Sequence, residues 1–122
     1  MAKRELGGKR LSNVPVVMFK EKPGCKFVGL IKNNAPTKYG LVFNFEILDG
    51  DAPIKQKDPN TDQFVDTPVK VGDLVAVFAS GQLKEKLVMA QPNEKIEIEF
   101  VGKKLNPKSG RYFNDFIVHV IE

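Results

Sequence analysis

Residues 41–48 alternate with period two. Leu41, Phe43, Phe45 and Ile47 fall on one side, and Val42, Asn44, Glu46 and Leu48 on the other. That pattern belongs to a β-strand with one face in a core, and it recurs along the chain. Ile96, Ile98 and Phe100 alternate with Glu97, Glu99 and Val101, and residues 112–121 put Phe116, Val118 and Val120 on one face. Residues 25–32 read as a further strand, in which Gly29 predicts a bulge or sharp bend. Residues 69–79 form a strand region containing a turn at Gly72-Asp73. Residues 14–19 are β-rich, but Pro15 confines them to an edge or a strand start. Turns are expected at 20–24 and 106–110 and a loop at 33–38, where Gly, Pro and Asn gather. The segment 49–68 holds three prolines and five aspartates with little periodicity. A loop of that length is unusual inside a domain, so it either hides a short hairpin or moves. Only one helix is convincing. Ser80 is placed to be its N-cap, Leu83 and Leu87 sit one turn apart, and Pro92 marks the stop.

The resulting order is three strands, a short helix, then two strands, with an extra strand at the N-terminal side. This is the order of a five-stranded OB-fold barrel, an all-β class with its single helix between the third and fourth strands. Closure of a small barrel also accounts for a glycine inside a strongly bent strand. An open antiparallel sheet with one covering helix is the structural alternative. The 122 residues suffice for one domain, assigned to 14–122 behind a flexible basic arm at 1–13. The longest apolar runs are six residues, far short of a membrane span. The N-terminus lacks the apolar stretch of a secretory leader, so a cytoplasmic protein without membrane contact is expected.

The chain carries one cysteine, Cys25, and one histidine, His119. These cannot make an internal disulfide, a cysteine zinc site or a site built on two histidines. Lys26 beside Cys25 would lower the thiol pKa slightly. Residues 58–62 resemble a calcium loop at first sight. Gln63 stands where the sixth-position glycine is needed, however, and Val69 where the glutamate is needed. No metal, no cofactor and no catalytic constellation is expected, which favours a binding protein over an enzyme.

The net charge is only +4, but it is unevenly spread. Lys22, Lys26, Lys32 and Lys38 occupy a window without acids over 22–45. Lys103, Lys104, Lys108 and Arg111 occupy a second over 100–114, and the acidic 49–68 segment separates the two. If the windows meet in space they form a surface for a polyanion. In an OB-fold the loops joining strands 1–2 and 4–5 flank the ligand face. Here those loops are 33–40 and 103–111, the same two windows. Lysines that merely solvate loops are the plain alternative.

Binding an unpaired strand also needs rings on which bases stack. Trp is absent, so Phe and Tyr must serve. Tyr39 and Tyr112 flank the basic loops, and Phe113 falls opposite Phe116, towards solvent. Phe43, Phe45, Phe78, Phe100 and Phe116 read as core. Phe64 either anchors the acidic segment or stacks a base. The nucleic-acid-binding candidates are therefore Lys26, Lys32, Lys38, Tyr39, Lys103, Lys104, Lys108, Arg111, Tyr112 and Phe113. For Lys26 and Lys32, at the ends of one strand face, simple snorkelling is an equal reading.

Leu74-Val75-Ala76-Val77-Phe78-Ala79-Ser80-Gly81-Gln82-Leu83, followed by Leu87, resembles the strand-into-helix passage of small bacteriophage OB-fold single-stranded-DNA-binding proteins. So do Ile96-Glu97-Ile98-Glu99-Phe100-Val101-Gly102-Lys103-Lys104 and Ser109-Gly110-Arg111-Tyr112-Phe113-Asn114-Asp115-Phe116. The resemblance covers roughly residues 26–121. It implies single-stranded-DNA binding without sequence preference, in phage or mobile-element replication or recombination. Replication or recombination proteins would then be further partners. Bacterial proteins of this kind carry a long tail with an acidic tip, whereas this sequence finishes on a strand, so recruitment through such a tail is not expected. The edge offered by 14–19 would allow a homodimer. The competing readings are a protein-interaction or structural OB module without nucleic-acid binding, and an RNA-binding OB domain.

Overall fold

A computed structural model describes residues 14–38 and 40–122. The expected arm at 1–13 and the candidate Tyr39 lie outside the described residues. The described chain is mostly β. In order it has β1 (Val16–Val17), a 3-10 turn (Phe19–Glu21), β2 (Lys26–Thr37), β3 (Gly40–Gly50), β4 (Ile54–Lys57), β5 (Phe64–Asp66), β6 (Leu74–Ala79), helix α1 (Gly81–Leu87), β7 (Lys95–Leu105) and β8 (Tyr112–Ile121). All eight strands join one sheet in the order β5-β4-β1-β6-β3-β2-β7-β8. The expected five-stranded closed barrel is thereby corrected. Among the described residues the sheet has two ends, β5 and β8, and no hydrogen-bonded ladder joins them.

The core follows from the alternation. Phe43, Phe45 and Ile47 of β3, Phe27 and Ile31 of β2, Val75 and Val77 of β6, and Ile96, Ile98 and Phe100 of β7 all turn inward and are buried. Phe27 meets Phe45 edge to face, with centroids 5.3 Å apart. Each such ring contributes about 1.5–3 kcal/mol by leaving water. Leu83 and Leu87 of α1 close one side of this core. Ser80 stands at the N-cap in an extended conformation, but its side chain makes no capping hydrogen bond.

Two glycines allow the sheet to coil. A Cβ at Gly29 would stand 2.9 Å from the Glu46 carbonyl oxygen and 3.0 Å from the Phe27 ring. The β2–β3 register shifts at this point, as the glycine predicts. Gly50 has φ +114°, and a Cβ there would collide with the Lys26 carbonyl oxygen. Around it, the backbone N–H groups of Asp51 and Ala52 donate to that oxygen at 2.9 and 3.0 Å. The Lys26 N–H donates to Asp51 Oδ1 at 2.8 Å. That bond, with the Lys22 ammonium at 3.0 Å, holds the Asp51 carboxyl below its ordinary pKa. Its contribution to stability is therefore present above the usual carboxylate range and is lost as pH falls through the lowered value.

Two expectations about the N-terminal half need correction. β1 is not an edge. It lies between β4, to which it is antiparallel, and β6, to which it is parallel, so the dimer surface expected there is already occupied within the chain. The segment 33–38 is not a loop, because β2 runs through it and pairs with β3 as far as Thr37 opposite Gly40. The acidic segment does hide a hairpin, β4–β5, in which Lys57 pairs with Phe64.

The expected activation of Cys25 is also reversed. Its side chain is fully buried, the thiol points at the Phe19 carbonyl 3.8 Å away, and burial, reinforced by Asp51, raises its pKa. The native protein is expected to resist a disulfide-exchange reagent such as Ellman's reagent at neutral pH and to react fully once unfolded in denaturant. Immediate stoichiometric reaction of the native protein would contradict this burial.

Candidate nucleic-acid interface

The β7–β8 hairpin carries the densest positive charge. Its register sets Lys103 opposite Asn114, Lys104 opposite Phe113 and Leu105 opposite Tyr112. The tip is held by its own backbone. Asn106 N–H donates to the Arg111 carbonyl and Gly110 N–H to the Asn106 carbonyl, each at 2.8 Å. The Asn106 side-chain oxygen accepts from Lys108 N–H at 2.9 Å. Lys103, Lys104, Lys108 and Arg111 are all exposed. Among the described residues none of the four has a carboxylate within ion-pairing distance. A tip ordered by main-chain bonds thus presents four uncompensated cations. Tyr112 stands among them, 70% exposed.

Next to this hairpin lies a groove of about 870 Å³. One wall is the start of β8, with Phe113 and Asn114; the opposite wall is β1 and the β4–β5 hairpin, with Met18, Lys57 and Phe64; Phe78, at the end of β6, and Gln82 complete it. Phe19 and Phe116 also line it. They are buried and meet edge to face, with centroids 5.4 Å apart. Three phenylalanines on this groove keep much of their surface in water: Phe64 at 45%, Phe78 at 46% and Phe113 at 40% exposed. Exposed rings gathered in one concavity are not what scattered surface hydrophobics look like. Lys20, at the rim, has no ion pair among the described residues, whereas Lys57 is matched by Asp62 at 3.1 Å.

Nine of the ten sequence candidates lie among the described residues, Tyr39 being the exception, and they separate accordingly. Lys103, Lys104, Lys108, Arg111, Tyr112 and Phe113 come together on the hairpin, and Phe113 reaches the groove. Lys38 sits at the β2–β3 turn. That turn joins strand ends adjoining the Phe78 end of β6, since Leu41 pairs with Ala79 and Val42 with Phe78. Lys32 is committed elsewhere, with Glu46 at 3.3 Å and the Asn93 side-chain oxygen at 2.9 Å. Lys26 lies opposite Glu99 on the β2–β7 ladder and does not line the groove.

Sequence reasoning missed Phe78. Every residue of Leu74–Ala79 is apolar, so alternation cannot tell which side faces the core. Val75, Val77 and Ala79 take the core side, leaving Phe78 on the other, and its expected place in the core is corrected. Phe64, for which the sequence leaves anchoring of the acidic segment and stacking of a base both open, lies on the β4–β5 hairpin and lines the groove. Glu97 lies 3.5 Å from Nδ1 of the exposed His119, its partner across the β7–β8 ladder.

No protein family, curated protein or solved structure matches this chain. Among the described residues no helix is long and apolar enough to cross a membrane.

Proposed function

We propose that the protein binds single-stranded DNA with little sequence preference, in replication or recombination of phage or mobile-element DNA. It acts by binding alone. The observation that carries this reading is the position of Phe113, which joins the hairpin bearing the four uncompensated cations to the groove bearing the three exposed phenylalanines. The cations neutralise phosphates and release counterions. The rings offer π-faces that any base can use.

The strand pairing supports an OB-fold reading. β6-β3-β2-β7-β8 is a run of five neighbouring strands, and α1 connects the third of these in chain order to the fourth. In such a barrel the third and fifth strands approach each other. Here those strands are β6 and β8, whose ends border the groove. The groove is then the open seam of a partly closed barrel, widened by β1 and the β4–β5 hairpin. The resemblance of residues 26–121 to phage single-stranded-DNA-binding proteins points the same way.

Titration of a fluorescent oligo-dT at two or more salt concentrations tests the reading. Four phosphate contacts predict a log–log salt slope of about −3, at roughly 0.7 per contact for a single strand. Lack of binding at low salt would sink the proposal, and binding without a salt slope would remove the phosphate mechanism. Stronger competition by oligo-rU than by oligo-dT would select the RNA-binding alternative.

A further inference from the structure

β8 ends the sheet among the described residues, so one side of its backbone has no neighbouring strand there. Phe116 shows which groups face outward. Its N–H donates to Gln82 Oε1 at 3.0 Å, and its carbonyl accepts from Lys86 Nζ at 2.8 Å. Both partners belong to α1, which therefore plugs the edge at its middle. By alternation the N–H and C=O groups of Val118 and Val120 also point away from β7, and among the described residues they have no partner.

The plug divides the edge into unlike halves. The half before Phe116 borders the groove through Phe113 and Asn114. The half after it, residues 117–121, has none of the devices that protect edges: no lysine, no proline and no bulge. It is also apolar where it meets water, with Ile117 41% and Val120 46% exposed.

We propose that residues 117–121 of β8 pair antiparallel with the same residues of a second copy across a two-fold axis through His119. The pairing is self-complementary. Val118 and Val120 of one copy exchange both hydrogen bonds with Val120 and Val118 of the other, giving four in all. Ile117 then meets Ile121, and Val118 meets Val120. At the axis the two imidazoles face each other, each with its own Glu97 at 3.5 Å, so no cluster of like charge opposes closure. Five residues a side fall well short of the ~20–30 a side of a stable interface, so the dimer is weak in free solution. Two copies on one nucleic-acid strand are held at an effective concentration in the millimolar range or so, enough to engage it. This last step rests on the proposed single-strand binding. The pairing leaves the groove uncovered, so the two activities are compatible.

Sedimentation velocity of the whole protein without DNA, from micromolar to millimolar concentration, tests the pairing alone. A monomer with a rising dimer fraction is expected. Val120→Lys and Ile117→Lys, both at exposed positions, should remain monomeric throughout with an unchanged circular dichroism spectrum. A protein monomeric at every concentration, or a dimer that survives both substitutions, would overturn the proposal. Gel-shift titration then compares an oligo-dT long enough for two copies with one that holds a single copy. Wild type should fill the long oligonucleotide cooperatively and the variants independently, with equal affinity for the short one. Dimerisation without any binding to oligo-dT would uphold the edge pairing and remove the DNA reading.

Discussion

Reversal of Lys103, Lys104 and Arg111 to glutamate is expected to weaken oligo-dT binding by roughly 100- to 1,000-fold at low salt and to reduce the salt slope from about −3 to about −1. The size follows from where these side chains sit. None has a carboxylate partner among the described residues, so their full charge is available to a phosphate. Reversal also replaces attraction with repulsion, which adds to the loss at low salt and fades as salt rises. Stability should barely change, within about 0.5 kcal/mol, because exposed side chains without special contacts carry little of it. The comparison that gives the result meaning is the triple reversal of Lys70, Lys84 and Lys95. It changes the net charge by the same amount, from +4 to −2, on surfaces away from the hairpin. Equal weakening by both triples would mean that the protein's overall charge, not the hairpin, attracts the strand. An unaffected hairpin variant would mean that the strand lies elsewhere.

The hairpin was legible because its features are local. Charge counting needs no fold, and alternation in 96–101 and 112–121 fixes two strands whose connecting residues must form a tip. The strands of the core were legible for the same reason. What could not be read depends on partners far away in sequence. Asn33–Thr37 looks like a loop, with two asparagines and Pro36. It is a strand because β3 supplies a ladder opposite it, tied by Asn44 Nδ2 donating to Asn33 Oδ1 at 2.7 Å. Pro36 fits because β2 pairs with β7 only from Lys26 to Leu30, so beyond Leu30 β2 has no ladder neighbour on that side for a missing N–H to disrupt. β1 is two residues long and could not announce two neighbours. Its place in the sheet is set by Val16 pairing with Lys55 on one side and Ala76 on the other.

The lysines of β2 make the same point about the site. Lys26 and Lys32 lie in a window free of acids along the sequence, yet Glu99 and Glu46 stand across from them in space. Linear charge windows predict surface potential only where no neighbouring strand intervenes. The 103–111 tip meets that condition by projecting past β2, since β7 pairs with β2 only from Lys95 to Glu99. The 22–45 window does not.

Loss of the groove rings should have a different signature from loss of the cations. Phe78→Ala and Phe113→Ala are each expected to weaken oligo-dT binding by about 5- to 100-fold, the equivalent of one base-stacking contact at ~1–3 kcal/mol. The double variant should lose the product of the two, roughly 25- to 10,000-fold, when the two rings hold different bases and act independently. The salt slope should be unchanged, because stacking releases no counterions. Phe78→Tyr keeps the π-face and should retain most of the affinity, which separates stacking from simple filling of the groove. The competing reading as a protein-interaction module has no nucleic-acid affinity for these substitutions to change, so measurable oligo-dT binding by the wild type already separates it from the stacking mechanism. Both rings are well exposed, so their removal costs little core burial, and an unchanged urea midpoint is the control. Unaltered binding by the folded double variant would mean that the bases do not enter this groove. Binding would then rest on the hairpin charges, with Tyr112 as the remaining exposed ring beside them.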